Sequence, residues 1–518
     1  MTDTNRHNAL DIVLVNPGGR RSIYQALSNE LAAIEPPLWA GLMARFVQIK
    51  GCSAEIVDAD AEDLSPEQVA ERVASRRPTL VAVVAYGHQP SASTQVMPAA
   101  SAICSAIRTE IPDARILLVG GHVSALPEVT LAEEAVDFVC TGEGPYTLTD
   151  LIRALKSGEG TFDPGEGSLD TGEDIFAAVR GLCYLRNGVT HRTQPAPLVV
   201  DLDAEMPEPA WELLPMDRYR AHNWHCFDGL QRQPYAAIYT TLGCPFKCSF
   251  CCIQAPFKEG ERESGYKPGK NSYRRWNVDA VLAQIDTLVN KYGVRNIKIA
   301  DEMFVLDRRH VLGICNGIIE RGYDLNIWAY ARVDTVRADM IDTLKRAGIH
   351  WLALGIEAAN PRVLDDVDKA YTREQIVETV SAVREGGIYV IANYIFGLPE
   401  DDHDTMQQTL DLALELNCEF ANFYCAMAYP GSPLYRDALA EGWALPEDWG
   451  GYSQHGIQTK PLPTRYLTAG EVLRFRDRAF DTYFSNPAYL HMIEQTFGIE
   501  TVRHINEMAS HTLERAHA

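Results

Sequence analysis

The chain has 518 residues, 46% hydrophobic and 23% charged, which is ordinary for a globular protein of roughly two to four domains. Its formal net charge of −23 disfavours a nucleic-acid partner, because an acidic surface repels phosphate backbones. No apolar run reaches the length of a membrane span, and the polar stretch Met1–Leu10 lacks the apolar region of an export signal. We therefore expect a cytoplasmic protein that has neither nucleic acid nor membrane as a partner.

Residues 1–155 alternate between two patterns of hydrophobicity. Continuous apolar runs predict buried strands, and apolar residues at helical spacing predict helices between them. Strands are predicted over Asp11–Asn16, Ser53–Asp58, Leu80–Tyr86, Arg115–Val119 and Phe138–Thr141, and helices over Pro37–Lys50 and Pro66–Arg76. This alternation predicts an α/β domain with a Rossmann-like, doubly wound parallel sheet.

Residues 156–233 form a predicted linker of looser pattern. The stretch Gly158–Gly172 is rich in glycine and acidic residues, so we expect it to be exposed. The stretch Gly181–Val189 predicts a small hairpin that turns at Asn187-Gly188, a dipeptide typical of tight hairpin turns.

Residues 234–440 return to strand and helix alternation, and residues 441–518 have mostly helical spacing. The predicted strands are Ala236–Thr241, Asn296–Ala300, Asn326–Ala331, Trp351–Ile356, Val390–Phe396 and Phe420–Ala426, with helices over Val278–Lys291, His310–Arg321, Ala338–Ala347, Arg373–Gly386 and Asp402–Leu416. Six strand–helix units are too few for a closed eight-unit barrel. They predict a partial (β/α)6 barrel, open along one side, followed by a helical C-terminal cap.

Four of the twelve cysteines lie together between Cys244 and Cys252. Cys244, Cys248 and Cys251 have the spacing CxxxCxxC, and three thiolates can hold a 4Fe–4S cluster with one iron left open. The alternatives are a zinc site or buried structural thiols. Zinc sites usually bring a second pair of Cys or His, which does not follow nearby, and buried thiols do not explain a Gly-Cys-Pro loop directly after a strand. Cys252 is interpreted as a bystander.

The three cysteines, with Phe250 before the last one and a predicted barrel strand before the first, resemble the motif of the radical S-adenosylmethionine (SAM) superfamily. The resemblance implies that the open iron binds SAM, and that the reduced cluster cleaves SAM to a 5′-deoxyadenosyl radical. It also implies an electron donor such as flavodoxin or ferredoxin. SAM contacts are expected at the carboxyl ends of the strands, from Phe250, Asp301, Glu302, Arg332, Gly355, Glu357, Asn393, Pro430 and Gly431.

The first domain resembles the cobalamin-binding domain that precedes many radical SAM domains. Glycines at strand ends let a backbone approach a bulky ligand closely. The Asp-x-His-x-x-Gly motif of cobalamin domains that supply a histidine to cobalt does not occur in the sequence. His88 follows the third strand, where the lower cobalt face would rest. It could bind cobalt or only pack, and packing or hydrogen bonding is the favoured interpretation of its role. The expected cobalamin-binding residues are Tyr86, His88, Gly120, Gly121, His122, Gly142, Glu143 and Gly144.

The two resemblances together imply a cobalamin-dependent methyltransferase that acts on an unactivated carbon of a small metabolite. One alternative is a radical SAM cyclase, epimerase or rearrangement enzyme, with or without cobalamin, since the first domain could be a relic that binds none. Another is a non-catalytic metal-binding or sensor protein. The sequence assigns no catalytic residue beyond the cofactor sites.

Overall fold

The computed structural model of the chain describes residues 10–25, 31–157 and 174–518. The predicted exposed stretch Gly158–Gly172 lies outside the described residues. The chain divides into two compact units. The first consists of Met1–Gly19, Pro37–Pro215 and Cys252–Arg274, and the second of Arg20–Pro36, Met216–Cys251 and Arg275–Ala518. The bounds predicted from the sequence for four segments, 1–155, 156–233, 234–440 and 441–518, stay predictions.

The first unit contains a seven-stranded sheet. Its strands are β1 (Ile12–Asn16), β2 (Ala54–Asp58), β3 (Leu80–Ala85), β4 (Ile116–Gly120), β5 (Phe138–Cys140), β6 (Leu182–Arg186) and β7 (Val189–Arg192). The order is β2-β1-β3-β4-β5-β6-β7, in which the first five strands are parallel and β6 and β7 are antiparallel. The parallel part confirms the predicted Rossmann-like sheet. Its strands are apolar because helices cover both faces.

The predicted hairpin extends this sheet. β6 pairs with β5, so that the hairpin lies at the edge of the sheet although its sequence belongs to the predicted linker. The turn between β6 and β7 has positive φ at both central residues, +51° at Asn187 and +73° at Gly188. That conformation matches the twist of the two strands, which explains the Asn-Gly sequence.

Helices of the first unit lie between its parallel strands or follow them. They span Leu38–Ile49, Pro66–Arg76, Ala92–Gln95, Met97–Glu110, Gly121–Ala125, Pro127–Glu133, Pro145–Ser157, Leu202–Glu205 and Lys258–Glu263. The helix Pro66–Arg76 begins where it is predicted to begin. Ser65 caps it by accepting from the amide of Gln68 at 3.3 Å, and the Gln68 side chain accepts in return from the amide of Ser65 at 2.8 Å.

A parallel sheet of six strands organises the second unit. The remaining strands of the chain are β8 (Tyr235–Ile238), β9 (Thr241–Gly243), β10 (Tyr273–Arg275), β11 (Asn296–Ile299), β12 (Asn326–Arg332), β13 (Ile349–Glu357), β14 (Tyr389–Phe396) and β15 (Phe420–Cys425). The six-stranded sheet has the order β15-β14-β13-β12-β11-β8. Because β8 and β15 are its two edges, the sheet forms the predicted partial barrel rather than a closed one.

Helices of the second unit follow the strands and then form the tail. They span Arg20–Tyr24, Val278–Tyr292, Arg308–Arg321, Ala338–Arg346, Pro361–Asp366, Arg373–Glu385, His403–Leu416, Pro433–Glu441, Ala469–Phe484, Pro487–Phe497 and Ile499–Ser510. The last three form the predicted helical tail. Among the helices of the described ranges, none combines the length and the apolar character needed to cross a bilayer.

Side chains near the carboxyl ends of the barrel strands alternate between two environments. The strand register places Arg332, Gly355, Asn393 and Asn422 in one row across β12 to β15. The last three are partly exposed, whereas their neighbours on the opposite face are buried. The row therefore lines an open interior at the carboxyl edge, the part of an α/β barrel where functional groups gather.

Candidate functional site

The three cysteines of the predicted cluster lie in a loop that begins after β9. Gly243 precedes Cys244 with φ of +84°, a left-handed conformation that favours glycine. The amide of Cys251 donates to the carbonyl of Cys248 at 3.1 Å, which closes a turn between these two residues. Cys244 is buried, and Cys248 and Cys251 are partly exposed. The loop thus presents one shielded thiol and two accessible ones.

Asp301 fixes the start of this loop. Its Oδ1 accepts from the amides of Thr240 at 2.6 Å and Thr241 at 3.1 Å, and its Oδ2 accepts from the Thr240 hydroxyl at 2.5 Å. His310 Nε2 lies 3.1 Å from the same hydroxyl. Asp301 is fully buried, and burial raises its pKa to about 6 although these hydrogen bonds oppose the rise. Asp301, predicted to contact SAM, therefore holds the backbone that leads to Cys244.

Arg332 connects β12 to the cysteine loop. Its Nε and Nη2 donate to the two carboxylate oxygens of Asp334 at 2.9 and 3.0 Å, and its Nη1 donates to the sulfur of Cys248 at 3.6 Å. The guanidinium also stacks on the ring of Phe246, 4.0 Å from the centroid, and lies 5.8 Å from that of Tyr371. Burial raises the pKa of Asp334, but the hydrogen bonds and the positive charge of Arg332, with smaller contributions from a backbone hydrogen bond and Lys369, together outweigh burial, and the net shift is downward.

Glu357 ends β13 in an unusual backbone conformation. Its φ is +61°, at a register shift between β13 and β14, and its carboxylate pairs with Lys369 at 2.7 Å. Gly355 makes room for this pair, because a Cβ there would lie 2.6 Å from the Glu357 carboxylate. The Tyr371 hydroxyl donates to the carbonyl of Gly355 at 2.6 Å and lies 3.2 Å from the carbonyl oxygen of Ile356. Lys369 and Tyr371 were not predicted from sequence.

The remaining predicted SAM residues surround the same edge. Asn393 accepts from Asn422 at 2.9 Å and donates to the carbonyl of Leu354 at 3.3 Å. The partly exposed Glu302 follows β11, and burial raises the pKa of its carboxyl to about 8, with Lys298 opposing the rise and Asp301 adding to it. These groups leave polar atoms along the open interior of the barrel.

The loop after β15 lies against the cysteine loop. The amide of Leu434, three residues after the predicted residues Pro430 and Gly431, donates to the carbonyl of Ser249 at 2.8 Å. The ring of Phe250 packs against the buried cluster that contains Leu434. The nine predicted SAM residues therefore lie in the carboxyl-terminal parts of the strands of the six-stranded sheet, in the loops that follow these strands, or in the cysteine loop.

Soft donors of the cysteine loop suit an iron–sulfur cluster. Burial raises the pKa of the Cys244 thiol to about 12, so binding to iron must displace its proton. Over the described ranges, no three His, Cys, Asp or Glu side chains converge on a point as a single metal ion requires. A 4Fe–4S cluster does not require such convergence, because each thiolate binds a different iron.

Two glycines of the first unit, Gly120 and Gly142, differ in the space that surrounds them. A Cβ at Gly120 would lie 2.2 Å from the carbonyl oxygen of Ala85, so this glycine allows two strands to approach. Gly142 is buried, yet a Cβ there would meet no described atom closer than the carbonyl oxygen of Pro256 at 3.9 Å. Space therefore adjoins Gly142, as expected where a backbone meets a bulky ligand.

Thr141 adds a polar atom beside that space. Its side chain is 1% exposed, and its hydroxyl has no hydrogen-bond partner among the described residues. Buried hydroxyls are nearly always hydrogen-bonded, so a bound ligand is a natural partner for this one. Thr141 precedes Gly142 directly but was not predicted, because a threonine at a strand end carries no distinctive sequence signal.

His122 has a structural environment. Its Nδ1 lies 3.1 Å from the hydroxyl of Thr94, and its amide donates to the hydroxyl of Ser93 at 2.8 Å. Burial lowers the pKa of the imidazole to about 3, so His122 is neutral. His88 is also buried. Packing stays the favoured interpretation for His88, and binding of cobalamin by His122 stays a prediction.

Glu143 belongs to a buried ion pair. Arg274 donates to its two carboxylate oxygens at 2.7 and 3.1 Å, and both side chains are 3% exposed. The amide of Val199 donates to the same carboxylate at 2.5 Å. The predicted residue Tyr86 stacks on Trp39, with ring centroids 4.6 Å apart, and its hydroxyl lies 3.4 Å from the carbonyl of Glu143. Arg274 and Trp39 were missed by the sequence analysis.

Two family models match the chain in the two regions described above. The model of the B12 binding domain matches residues 24–152, and the model of the radical SAM superfamily matches residues 238–413. The chain is a radical SAM protein with an N-terminal B12 binding domain. Both resemblances inferred from the sequence are thereby confirmed.

Relatives of this radical SAM protein include enzymes of more than one kind. A protein of Pyrococcus horikoshii, named as an uncharacterized methyltransferase, is 27% identical over 466 residues, which cover 90% of this chain and 91% of the relative. The anaerobic magnesium-protoporphyrin IX monomethyl ester cyclase of Cereibacter sphaeroides is 25% identical over 488 residues, 93% of this chain and 71% of the relative.

A solved structure has the same fold. The radical SAM methyltransferase TsrM of Kitasatospora setae, with cobalamin and a 4Fe–4S cluster bound, matches with a TM-score of 0.65 at 17% identity, over 96% of this chain and 99% of that chain. The cofactors of this radical SAM protein are accordingly a 4Fe–4S cluster, SAM and cobalamin. The three-thiol loop fits the cluster, and the space beside Gly142 with the buried Thr141 hydroxyl fits cobalamin.

Proposed function

We propose that the chain is a cobalamin-dependent radical SAM methyltransferase that acts on an unactivated carbon of a small molecule. The observation that carries this proposal is the presence of both domains in a chain that aligns over 90% of its length with a relative named as a methyltransferase. When bound, the cluster and SAM supply a 5′-deoxyadenosyl radical, and cobalamin supplies a methyl group. The protein contributes orientation and exclusion of water.

The residue assignments belong to this proposal. Cys244, Cys248 and Cys251 would hold the cluster, because they are the soft donors of a loop fixed by Asp301 at its start. SAM would lie along the row that contains Gly355 and Asn393, which are both partly exposed.

Glu357 lies two residues after Gly355, at the end of β13, and its carboxylate is held firmly. Lys369 neutralises its carboxylate, and Tyr371 holds the carbonyls of the preceding turn. A carboxylate held in this way can accept hydrogen bonds from a ligand without the cost of an unpaired buried charge. We assign Glu357 to the binding and orientation of SAM, with Lys369 as a positioning residue.

On the cobalamin side we assign Gly121 and Gly142 to close backbone approach. Both lie at carboxyl ends of parallel strands, where ligands of doubly wound domains bind. Glu143 and His122 would support this region without touching the ligand, because their polar atoms are engaged inside the protein.

A small-molecule substrate suits the open interior of the partial barrel. A second structure of TsrM holds tryptophan as substrate together with a SAM analogue. An electron donor such as flavodoxin or ferredoxin completes the reaction in this proposal, since cluster reduction requires a one-electron carrier of low potential.

A cyclase is the second candidate. The magnesium-protoporphyrin cyclase of Cereibacter sphaeroides aligns over 93% of this chain, slightly more than the 90% that the methyltransferase relative covers. Such an enzyme would share the cluster and SAM site and differ in the fate of the substrate radical. Formation of S-adenosylhomocysteine distinguishes the two, because only the methyltransferase consumes SAM as a methyl donor.

The test is anaerobic reconstitution followed by analysis of iron, sulfide, cobalamin absorbance and 5′-deoxyadenosine. We expect Cys244→Ala, Cys248→Ala and Cys251→Ala each to abolish release of 5′-deoxyadenosine. Cys252→Ala is the matched control and should retain much of it. Full release by Cys248→Ala would refute the ligand assignment, and reconstituted protein that holds zinc in place of iron would refute the proposed function.

A further inference from the structure

The guanidinium of Arg332 is oriented by every contact it makes. Two of its nitrogens, Nε and Nη2, donate to the two carboxylate oxygens of Asp334 in a forked pair. The third nitrogen, Nη1, donates to the sulfur of Cys248. The ring of Phe246 covers one face at 4.0 Å, and the residue is 5% exposed. A planar group held by a fork and a stacked ring has little freedom to turn toward another acceptor.

We propose that Arg332 is a positioning residue that raises the reduction potential of the cluster by donating a hydrogen bond to the sulfur of Cys248. This inference rests on the proposed function, since it assumes that Cys248 is a cluster ligand. It replaces the expectation, drawn from the sequence, that Arg332 binds SAM.

The physical argument concerns the charge of the reduced cluster. One electron, supplied by a low-potential carrier such as a reduced flavodoxin, takes the cluster from the 2+ to the 1+ state, and no covalent bond forms or breaks. The added negative charge is shared by the sulfur atoms, so an N–H donor to a ligand sulfur stabilises the reduced state more than the oxidised one. The potential is therefore less negative with Arg332 than without it.

The ion pair with Asp334 separates this effect from that of a distant charge. Arg332 and Asp334 together are neutral, so their long-range field at the cluster is small. What remains is the short-range, directional hydrogen bond. Arg337, five residues after Arg332, offers a control for the removal of a paired arginine. Its side chain is 68% exposed and pairs with Asp339 at 3.6 Å.

The experiment is a redox titration of the reconstituted full-length protein, without SAM, followed by electron paramagnetic resonance of the reduced cluster. Arg332→Gln should shift the midpoint potential to a more negative value than that of the wild type. Arg332→Lys keeps the charge but not the fork, and should shift it in the same direction by less. Arg337→Gln is the control and should leave it unchanged.

The double variant Arg332→Gln/Asp334→Asn provides a test if Arg332→Gln alone fails to hold the cluster. It removes both charges of the neutral pair together with the N–H donor to Cys248, so the long-range field changes little and we again expect a more negative potential. Equal potentials of the wild type and of whichever of these variants holds a cluster would overturn the inference, as would an equal shift in Arg337→Gln. Iron and sulfide in the wild type tell the two failures apart, because a missing cluster refutes the proposed function as well, whereas an unshifted potential refutes only the role of Arg332.

Discussion

Removal of Arg274 would leave the carboxylate of Glu143 buried without its cationic partner. Both side chains are 3% exposed, and two hydrogen bonds join them. Breaking a buried pair by removing one partner costs about 3–5 kcal/mol, because the remaining charge is uncompensated. Arg274 also donates to the carbonyl of Val199 at 2.7 Å and lies 5.0 Å from the ring of Phe257. We expect Arg274→Met to lower the free energy of unfolding of the first unit by about 4 kcal/mol.

Urea titration of the wild type, Arg274→Met, Glu143→Gln and the double variant measures this cost. The double variant should lose clearly less than the sum of the single variants, since neither charge is then left alone. A loss below about 1 kcal/mol for Arg274→Met, or simple additivity, would refute the reasoning. Equilibrium dialysis with hydroxocobalamin supplies a second result, because Glu143→Gln should bind it as the wild type does. A tenfold weaker affinity would instead support direct contact of Glu143 with the cofactor.

Three further predictions concern the cofactor sites. Gly142→Ala should weaken hydroxocobalamin binding in equilibrium dialysis by about tenfold or more with little change in thermal stability, whereas Gly120→Ala should destabilise the fold, because its Cβ would lie 2.2 Å from a carbonyl oxygen. In the wild type, Asp301 should make the free energy of unfolding fall by about 3 kcal/mol between pH 4 and 6, as measured by urea titration, and Asp301→Asn should remove this fall. The sign follows from the pKa of Asp301, which is about 6 in the folded state and 3.8 ordinarily, so the folded protein binds more protons and loses stability as the pH rises. Gly355→Ala should raise the KM for SAM in an assay of 5′-deoxyadenosine by about tenfold, since its Cβ would displace the Glu357–Lys369 pair; an unchanged KM would exclude that pair from the SAM site.

Local signals were enough to predict much of the fold. The helix Pro66–Arg76 and the strands β1 to β5 carry caps or continuous apolar runs that act within a few residues. The helix Met97–Glu110 was not predicted, because its alanines and serines give it a weak apolar face. The hairpin was predicted, but its pairing with β5 was not, since pairing depends on residues some forty positions away.

In the candidate site, too, features with a local sequence signal were predicted and features that depend on distant residues were not. Strand ends are visible in the sequence, and this placed Arg332, Gly355 and Asn393 at one edge before their common row was known. Roles that depend on distant partners were not visible. Glu143 and Arg274 are 131 residues apart, and nothing local to either indicates that they meet. Asp301 likewise has a polar side chain at a strand end, but its acceptors serve a backbone about sixty residues earlier.

The two unpaired edges of the six-stranded sheet, β8 and β15, bear on how the width of its interior can vary. A closed barrel has a circumference fixed by its number of strands and their stagger, so its interior can change only by exchange of side chains. Between β8 and β15 no ladder of hydrogen bonds closes the ring, so the two edges can move apart or together while every existing strand pair is kept. The width of the interior can thus change through the segments beside these two strands while the hydrogen bonds between neighbouring strands are kept.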